Sequence, residues 1–473
     1  MLSTLKETGC RGDGLFSAVR VTLYDRTVRD RRTSADNVSS SICVIGAGPC
    51  GLTSLKNLAQ AGLQDIVCYE AGSQVGGNWV FRDAHGHSSI YETAHTISSK
   101  MLSQFDDFPM PADFPDFPSH KQILAYFQAY ASRFNLAQFI RFRSRVLQVK
   151  RENGGRWQVT AESPEGEEIR TFDNLIVCSG HHWDPVVPEL SGDFSGTQIH
   201  AHDYKCAEPF RDSRILVVGG GNSACDIAVE TSRLSRKTCI SMRRGYYIIP
   251  KIIFGKPVDV AYSRLLFLPK PLRQRVLGLG LRLAIGRWEK YKLKKPDCRP
   301  MEMHPTLNSE ILNLIRHGKI HPRGAIVVAK GNAVTFEDGS TEKFDTIIWA
   351  TGYRTGFPFL GDMYREWTTA KRLPLYLKMM PVDSPNLYFI GLFQPIGCIW
   401  TLADYQARIA ALQIAGQLKR PNNLPDLVKR EMNSPHWRFQ DHPRHAVEVD
   451  YHDFKAELLS ELKSVTTHRS RGI

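Results

Sequence analysis

A short apolar stretch that runs straight into a glycine-rich turn and then a helix constrains this chain most. Residues 41–45 are mainly apolar, the turn reads Gly46-Ala47-Gly48-Pro49-Cys50-Gly51, and residues 52–60 are compatible with a helix. A second apolar run, residues 65–70, ends in Glu70, which lies 24 residues after Gly46. A Gly-x-Gly-x-x-Gly turn in this setting is typical of a dinucleotide-binding βαβ unit.

The residue types of this fingerprint have physical reasons. Gly46 permits the tight turn, Gly48 lets the backbone approach a pyrophosphate, and Gly51 lets the helix pack close to the strand. The helix N-terminus offers free N–H groups to the phosphates. We expect Glu70 to accept hydrogen bonds from ribose hydroxyls.

The same pattern returns 173 residues later, at Gly219-Gly220-Gly221-Asn222-Ser223-Ala224. Strand-like residues 214–218 precede this second turn, and a helical stretch, residues 225–233, and a strand, residues 238–242, follow it. The position equivalent to Glu70 holds Arg243, followed by Arg244. A guanidinium binds a 2′-phosphate that a carboxylate would repel. The second unit is therefore predicted to prefer NADP(H); an incidental pair of surface arginines is the alternative.

A second repeat supports a duplicated plan. Residues 172–180 match residues 344–352 at an offset of 172, and each match follows a predicted hairpin. We expect the strand 386–391 and the helix 403–418 to return to the first unit. The predicted fold is α/β, with two Rossmann-like domains and the NADP domain inserted into a discontinuous FAD domain. The predicted boundaries are 1–37 for a poorly ordered N-terminal extension, 38–185 with 353–473 for the FAD domain, and 186–352 for the NADP domain.

Charge and cysteine usage limit the function classes. The net charge is +13, and residues 261–295 alone contribute +9, which predicts either a peripheral membrane contact or a solvated helical surface. No nucleic-acid module is recognisable, and no apolar run is long enough to span a membrane. Ten cysteines form no Cys-x-x-Cys pair, so we expect no metal site, free thiols and a cytoplasmic location.

Two dinucleotide sites in one chain favour one nicotinamide and one flavin, because a hydride can pass between them. The electron acceptor is then the question. A disulfide reductase would need a paired dithiol, and Cys43, Cys50 and Cys68 stand at non-adjacent spacings. Oxygen is the remaining common acceptor.

The sequence resembles the class B flavin-containing monooxygenases, and the resemblance is closest to bacterial-type soluble members. The stretch Phe194-Ser195-Gly196-Thr197-Gln198-Ile199-His200-Ala201-His202-Asp203-Tyr204 fits that family's Phe-x-Gly-x-x-x-His-x-x-x-Tyr signature. Related Baeyer–Villiger enzymes usually end the motif in Trp. Further matches are residues 76–79, 107–109, 350–353 and 394–397, and the resemblance spans about residues 40–420.

The resemblance implies a reaction and a set of cofactor contacts. In the family, NADPH reduces FAD, O2 forms a flavin C4a-hydroperoxide under bound NADP+, and a soft nitrogen or sulfur nucleophile takes the distal oxygen. The implied FAD contacts are Gly46, Gly48, Pro49, Cys50, Gly51, Glu70, Gly77, Asn78, Trp79 and Gln394. The implied NADP contacts are Gly219, Gly221, Asn222, Ser223, Ala224, Arg243, Arg244 and Thr351.

The chain departs from the family at one position. After the Gly-Gly-x-Trp motif the family usually carries an active-site Asn, and Ile97 stands where we place it. Asn78 occupies the variable position of the earlier motif and does not replace it. We interpret Ser98 as the candidate catalytic residue that supplies a replacement hydrogen bond. We expect structural or hinge roles for His200 and Tyr204.

Several alternatives stay open at this point. They are Baeyer–Villiger oxygenation of ketones, an uncoupled NADPH oxidase that produces H2O2, and a non-catalytic NADP(H)-sensing protein. The partners implied are O2 and a small-molecule substrate whose identity the sequence does not give, and a homodimer is left open. We expect His181 and His182 to be solvated loop residues rather than metal ligands.

Overall fold

Two parallel β-sheets organise this protein in a computed structural model that describes residues 40–433, 439 and 446–469. The predicted N-terminal extension, residues 1–37, lies outside the described residues. In the first sheet the strand order is Leu387–Phe389, Asn174–Val177, Ile42–Ile45, Ile66–Tyr69 and Ile140–Arg141. In the second it is Thr197–His200, Thr346–Trp349, Arg214–Val218, Lys237–Ser241 and Ile320–Arg323.

The order of these strands shows an insertion. All five strands of the second sheet lie between residues 197 and 349, whereas the first sheet takes strands from both sides of that stretch. The predicted returning strand is Leu387–Phe389, and it pairs in parallel with Asn174–Val177. The two connections run side by side, because Asp184–Pro185 pairs antiparallel with Tyr353–Arg354. The predicted α/β class with an inserted second domain is confirmed, and the exact domain boundaries stay predictions.

Each parallel sheet carries a smaller sheet, as the sequence repeat predicts. The first holds the antiparallel strands Arg145–Arg151, Trp157–Ser163 and Gly166–Phe172. The second holds Gly192–Phe194, Ile326–Gly331, Ala333–Phe336 and Thr341–Lys343. The remaining strands form two-stranded pairs: Ile248–Ile249 with Thr306–Leu307, Ile252–Ile253 with Lys256–Pro257, Leu375–Tyr376 with Met380–Pro381, and Gln394–Pro395 with Glu448–Val449.

The two predicted fingerprint helices form at Pro49–Gln60 and Asn222–Leu234, and we call them the first and second fingerprint helices. The helix predicted at 119–134 is His120–Arg133. Ser119 caps its N-terminus and forms a capping box with Gln122. The helix predicted at 403–418 is Ile399–Ile414. The other described α-helices are Lys100–Ser103, Val258–Ser263, Lys270–Ile285, Ile311–Arg316, Leu424–Asn433 and Tyr451–Arg469.

The first fingerprint helix is locked by a buried polar network on the side away from the glycine turn. Lys56 is 3% exposed, and its Nζ lies 2.7 Å from Asp107 and 2.9 Å from Asp404. The Nδ2 of Asn57 donates to the Oδ1 of Asp404 at 2.9 Å. Because Asp404 belongs to the helix Ile399–Ile414, this network fixes the first fingerprint helix against the returning segment.

The longest helix of the basic segment 261–295 is Lys270–Ile285. Leu272, Val276, Leu279 and Leu283 form an exposed stripe along it, with Leu283 75% exposed. Such a stripe has the helical spacing of an apolar face, although the core lies elsewhere. Within the described ranges, no helix is both long and apolar enough to cross a membrane.

Candidate active site

The first glycine turn is held tightly against the sheet. The Gly46 N–H donates to the carbonyl oxygen of Tyr69 at 2.8 Å, and Gly46 has φ +97°. A Cβ on Gly51 would lie 1.9 Å from the Gly46 carbonyl oxygen, so only glycine allows the helix to approach this closely. The turn therefore has the shape that the fingerprint predicts.

Gly48 has a different role from Gly46 and Gly51. A Cβ on Gly48 would meet Gly77 Cα at 3.5 Å, which is ordinary contact, so the protein itself has room for a side chain. Gly48 precedes the helix start at Pro49 and makes no side-chain cap bond, which leaves the N–H groups of the first turn available to an anion. The free space beside Gly48 fits a pyrophosphate that approaches the backbone.

Glu70 closes the turn from the neighbouring strand. Its two carboxylate oxygens accept hydrogen bonds from the backbone N–H groups of Ala47 at 2.6 Å and Gly72 at 2.7 Å. Burial raises the pKa of Glu70, and these two hydrogen bonds oppose that shift. The acid that the sequence predicts as a ribose ligand thus also organises the loop, and its remaining lone pairs stay available to a ribose.

The segment 77–79 packs beside the first turn. Gly77 has φ +53°, and its own Cβ would lie 2.9 Å from Gly48 Cα, so this glycine is required by the close approach of two loops. The Asn78 Oδ1 accepts from the Ser89 backbone at 2.8 Å, which ties it to the next loop. Trp79 packs edge-on against Trp400 with ring centroids 5.6 Å apart.

Cys50 is shielded where the returning segment crosses the turn. A Cβ on Gly391 would lie 2.3 Å from the Cys50 Sγ, so Gly391 leaves the space that the thiol occupies. Burial raises the pKa of Cys50 well above the ordinary thiol value. The nine described cysteines are all unpaired, and among the described residues no group of His, Cys, Asp and Glu has the arrangement of a metal site.

Buried polar atoms without partners collect at the carboxyl ends of the first-sheet strands. Both ring nitrogens of His181, the Oε1 of Gln394 and the Oγ of Ser179 are buried and unbonded within the described part of the chain. Parallel α/β sheets bind ligands at this edge. Such orphan atoms indicate a polar ligand edge, and they fit the hydrogen-bonding rim of an isoalloxazine ring.

His181 corrects an expectation from the sequence. It is 7% exposed and therefore not a solvated loop residue. Burial lowers the pKa of His181 to about 4, and the neighbouring Gln394 amide opposes the shift. The imidazole is consequently neutral at pH 7. Sequence reasoning missed this burial because two adjacent histidines after a glycine are typical of a surface turn.

The second glycine turn repeats the first, except that Ala224 takes the place of the third glycine. The Gly219 N–H donates to the Ser241 carbonyl oxygen at 3.0 Å, and a Cβ on Gly219 would lie 2.3 Å from the Ala350 carbonyl oxygen. Gly221 precedes the helix start at Asn222 and makes no side-chain cap bond. Ala224 is fully buried at the position of the third fingerprint residue, while Ser223 is exposed. The turn can therefore receive a second pyrophosphate.

Arg243 and Arg244 lie just beyond the neighbouring strand, Lys237–Ser241. Arg243 is exposed and has no carboxylate partner in the part of the chain that the structure describes, while the Arg244 guanidinium lies 5.5 Å from the Tyr246 ring centroid. The Lys294 Nζ lies 3.0 Å from the Arg243 carbonyl oxygen, but its charge is already paired with Glu337 at 2.6 Å. This basic corner fits a 2′-phosphate.

The hydroxyl groups of two predicted site residues are already hydrogen-bonded within the protein. Thr351 Oγ1 donates to the Val186 carbonyl oxygen, which joins the two crossover connections. Ser98 is 7% exposed, and its Oγ lies 2.8 Å from the Ser103 Oγ, whereas Ile97 is 38% exposed. The catalytic role of Ser98 and the NADP contact of Thr351 stay predictions.

The signature histidine is the last residue of the strand Thr197–His200 in the second sheet, and the signature tyrosine follows it four residues later. The Tyr204 hydroxyl donates to the Glu230 Oε2 at 2.8 Å, and the His200 ring lies 5.2 Å from that of Tyr353. Burial lowers the pKa of His200 to about 4. These contacts agree with a structural role for both residues.

Comparison with known proteins agrees with this geometry. The flavin-binding monooxygenase-like family matches residues 39–467. Flavin-containing monooxygenase 5 of Homo sapiens is 34% identical over 437 residues, which covers 88% of this chain and 81% of the relative. Dimethylaniline monooxygenase [N-oxide-forming] 2 of Mus musculus is 34% identical over 447 residues, which covers 90% of this chain and 83% of the relative.

A solved structure supports the fold. The S-allyl-L-cysteine S-oxygenase of Allium sativum superimposes with a TM-score of 0.65 at 21% identity, covering 92% of this chain and 94% of that chain. At this identity the similarity shows the shared arrangement of two Rossmann-like domains.

Proposed function

This chain belongs to the flavin-binding monooxygenase-like family, and from that premise we propose that its substrates are amines and thioethers. The protein is a flavin-dependent monooxygenase that uses FAD and NADPH. It incorporates one oxygen atom of O2 into a small molecule. The substrate class, the residues at each site and the cellular location are our proposals.

The pairing of two different fingerprint units carries this proposal. The first turn is closed by an acid, Glu70, and the second is followed by an exposed cation, Arg243. An acid beside a ribose favours an adenine dinucleotide without a 2′-phosphate, which fits FAD, whereas the arginine favours NADPH. We therefore assign FAD to the turn at residues 46–51 and NADPH to the turn at residues 219–224.

Exclusion of water from the reaction site matters more for this chemistry than acid–base groups do. When bound, FAD accepts a hydride from NADPH and activates O2. His181 and His200 are neutral at pH 7, because burial lowers the pKa of each to about 4. Burial raises the pKa of Tyr353 to about 12, so this hydroxyl holds its proton. These three side chains therefore do not deliver a stray proton at pH 7, which favours oxygen transfer over release of peroxide.

Soft nucleophiles are the substrates that this arrangement suits. A neutral amine nitrogen or thioether sulfur attacks an electrophilic oxygen without help from a protein base. The printed names of two similar proteins, a dimethylaniline N-oxide-forming enzyme and an S-allyl-L-cysteine S-oxygenase, support this class. A ketone would instead require a nucleophilic oxygen, and the signature ends in Tyr204 rather than the Trp usual in Baeyer–Villiger enzymes.

Product analysis tests the proposal. Purified holoenzyme is incubated with NADPH, O2 and, separately, N,N-dimethylaniline, thioanisole and cyclohexanone, and the products and H2O2 are quantified against NADPH consumed. We expect N-oxide and sulfoxide with little lactone. Lactone as the main product would contradict the proposal.

One observation favours a second candidate function, an uncoupled NADPH oxidase. Ile97 is 38% exposed at the position where the family usually places an active-site Asn, so an amide hydrogen bond is lost there. H2O2 that accounts for nearly all NADPH consumed, with or without a substrate, would favour this reading.

We also propose a peripheral membrane contact for the segment 261–295. The exposed stripe Leu272–Val276–Leu279–Leu283 is flanked by exposed Arg275 and Arg282, an arrangement that suits the interface of an anionic bilayer. Flotation with phosphatidylserine vesicles should carry the wild type and lose the Leu279→Gln/Leu283→Gln variant. Equal flotation of both proteins would contradict this contact.

A cytoplasmic location agrees with the unpaired state of all nine described cysteines. A reducing compartment keeps thiols in this state. Fractionation of cells that express the full chain, with thiol labelling before and after reduction, tests the location.

A further inference from the structure

The second fingerprint helix carries two carboxylates that its nucleotide fingerprint does not explain. Asn222, Asp226 and Glu230 stand four residues apart, so they share one face of the helix Asn222–Leu234. Asn222 belongs to the turn that receives the pyrophosphate, and its Oδ1 accepts from the Leu307 backbone N–H at 2.7 Å. One helical face thus connects the phosphate end to both acids.

Both acids bind a segment of the other domain. The Tyr91 hydroxyl donates to the Asp226 Oδ2 at 2.6 Å, and the Thr93 hydroxyl donates to the Glu230 Oε1. The second oxygen of each carboxylate is bonded within the inserted stretch. Asn308 donates to Asp226 at 2.7 Å. The acids therefore form a bridge between the domains.

Three further residues of the inserted stretch grip the same segment. The Lys251 Nζ donates to the Thr96 carbonyl oxygen at 3.2 Å. The Ser99 backbone N–H donates to the Asp259 Oδ2 at 2.6 Å. The Glu92 backbone N–H also donates to the Lys205 carbonyl oxygen at 2.8 Å. Residues 91–99 are thus held by the inserted domain through hydrogen bonds at five points, and we call them the clamped segment.

The clamped segment leads into the reaction site. It contains Ile97 and Ser98, and Ser98 pairs with Ser103. The Ser103 carbonyl oxygen accepts from the Trp400 indole N–H, and Trp400 packs against Trp79 beside the first glycine turn. A shift of the clamped segment therefore moves groups next to the FAD site.

Burying these acids is costly. Glu230 is 9% exposed, and neither carboxylate has an ion pair within 4.0 Å in the described ranges. Burial raises the pKa of both acids. The charge of Asp226 raises the pKa of Glu230 further, whereas the Tyr91 bond and Lys251 oppose the shift of Asp226. An apolar interface would be simpler to build, so these residues point to a role beyond packing.

We propose that Asp226 and Glu230 are positioning residues that couple occupation of the NADP site to the placement of the clamped segment. The inference rests on the proposed function, because that proposal assigns NADPH to residues 219–224 and the reaction to the neighbourhood of Ile97. The anion fixes the helix N-terminus, the helix fixes Tyr91 and Thr93, and these fix the segment. By thermodynamic linkage, an ordered segment raises NADP+ affinity by the same factor.

The proposal also gives the signature tyrosine a task. Tyr204 donates to Glu230 at 2.8 Å, opposite the bond from Thr93. It therefore orients the carboxylate toward the clamped segment. A Trp at this position would need a different acceptor geometry, because an indole N–H lies closer to its own backbone than a phenol hydroxyl does, and it can only donate.

Hydrogen–deuterium exchange of the FAD-loaded holoenzyme tests the coupling. In the wild type, saturating NADP+ should slow exchange of peptides covering residues 88–100 at least 5-fold. In Tyr91→Phe/Thr93→Val, which removes both bonds from the segment side, this slowing should fall below 2-fold. The dissociation constant of NADP+ should rise roughly 3- to 10-fold.

A matched control separates coupling from loss of any tyrosine–carboxylate bond. Tyr69 also donates to a glutamate, Glu168, at 3.1 Å, away from this interface. Tyr69→Phe should keep the wild-type response to NADP+. Slowing in Tyr91→Phe/Thr93→Val equal to that of the wild type would overturn the proposal.

A second variant keeps the test decisive if the double variant does not fold. Lys251→Met leaves the hydrogen bonds to both acids in place and removes the bond to Thr96, together with the contact of Lys251 with the Phe117 ring and its charge interaction with Asp226. It should lose NADP+-dependent slowing for residues 96–100 while residues 88–93 respond normally. A uniform response in all these peptides would contradict the proposal. Hydrogen–deuterium exchange is measured without turnover. Its result therefore does not depend on whether the proposed substrates are oxygenated.

Discussion

The two fingerprint helices share one local design and differ in what their outer faces bind. The first helix is neutralised and fixed inside its own domain, because buried Lys56 contacts Asp107 and Asp404. The second presents Asp226 and Glu230 to a segment of the other domain. The contrast suggests that the first turn holds its cofactor permanently and that the second binds an exchangeable one. Binding at the second turn would then be transmitted to the segment 91–99.

The largest effect should separate two glycines of the first turn. Gly51→Ala should yield protein without flavin, because the added Cβ would lie 1.9 Å from the Gly46 carbonyl oxygen and force the backbone apart. Gly48→Ala should fold normally and bind FAD more weakly, since the protein leaves room for its Cβ. Flavin absorbance per protein and thermal unfolding measure both. Equal flavin content in the two variants would contradict this assignment.

Lys56→Met should strongly destabilise the protein. It leaves two carboxylates around a buried site without their cation, which costs about 3–5 kcal/mol in the free energy of unfolding. Lys237→Met is the control in the second domain, because Glu342 keeps its Arg323 partner there. Urea denaturation should show a loss below about 1 kcal/mol for that control.

Arg243→Ala should raise the NADPH concentration needed for half-maximal rate roughly 10- to 100-fold, the worth of a lost charged hydrogen bond. The requirement for NADH should stay nearly unchanged, because NADH lacks the 2′-phosphate. Arg214→Ala, at the opposite end of the same sheet, serves as control because Arg214 pairs with Asp345. An equal loss with both cofactors would place the 2′-phosphate elsewhere.

Glu230→Gln should change the pH dependence of stability. Burial raises the pKa of Glu230 to about 7, and the nearby charge of Asp226 adds to this shift. The hydrogen bond from Tyr204 opposes the shift, and Arg233 and Glu92 are the other charged neighbours. A raised carboxyl pKa means that the folded state keeps a proton which the unfolded state releases above its own pKa of about 4.5. The stability of the wild type should therefore fall from pH 5 to pH 8 relative to the variant.

The expected gain of Glu230→Gln over the wild type is near zero at pH 5 and roughly 1–2 kcal/mol at pH 8, after the weaker hydrogen bonds of the amide are subtracted. Denaturation at both pH values measures it. A difference that does not change with pH would refute the raised pKa.

Ile97→Asn should give the smallest effect, a roughly 2- to 3-fold fall in H2O2 released per NADPH consumed. The side chain is partly exposed, so the fold should tolerate the amide. Ile169→Asn, an exposed isoleucine on the small antiparallel sheet, is the control and should leave peroxide release unchanged. No change in Ile97→Asn would show that the family's Asn position lies elsewhere in this chain.

Local sequence patterns were sufficient to predict the strands and helices of both fingerprint units. The strands at 42–45 and 214–218 and the helices after them are predictable because glycine spacing and apolar periodicity act over neighbouring residues. The helix Ile399–Ile414 begins and ends four residues before the predicted 403–418. Its apolar residues continue past its end, and periodicity alone does not locate an end without a cap.

Side-chain partners far apart in the chain could not be predicted. Lys56 is an unremarkable helical lysine in the sequence, and only packing against the helix Ile399–Ile414 makes it a buried cation. The Glu70 carboxylate was expected at the ribose, and its bonds to the Ala47 and Gly72 backbone appear only when the loops fold around it.

The sequence by itself determined two nucleotide-binding turns and the acid and arginine that distinguish them, because these features are encoded within about 30 residues each. The family follows from several motifs spread over about residues 40–420. The tertiary structure alone decided that His181 is buried and that Asp226 and Glu230 grip the segment 91–99. The physical reason is that burial and hydrogen-bond partners depend on which distant segments pack together, and no local spacing carries that information.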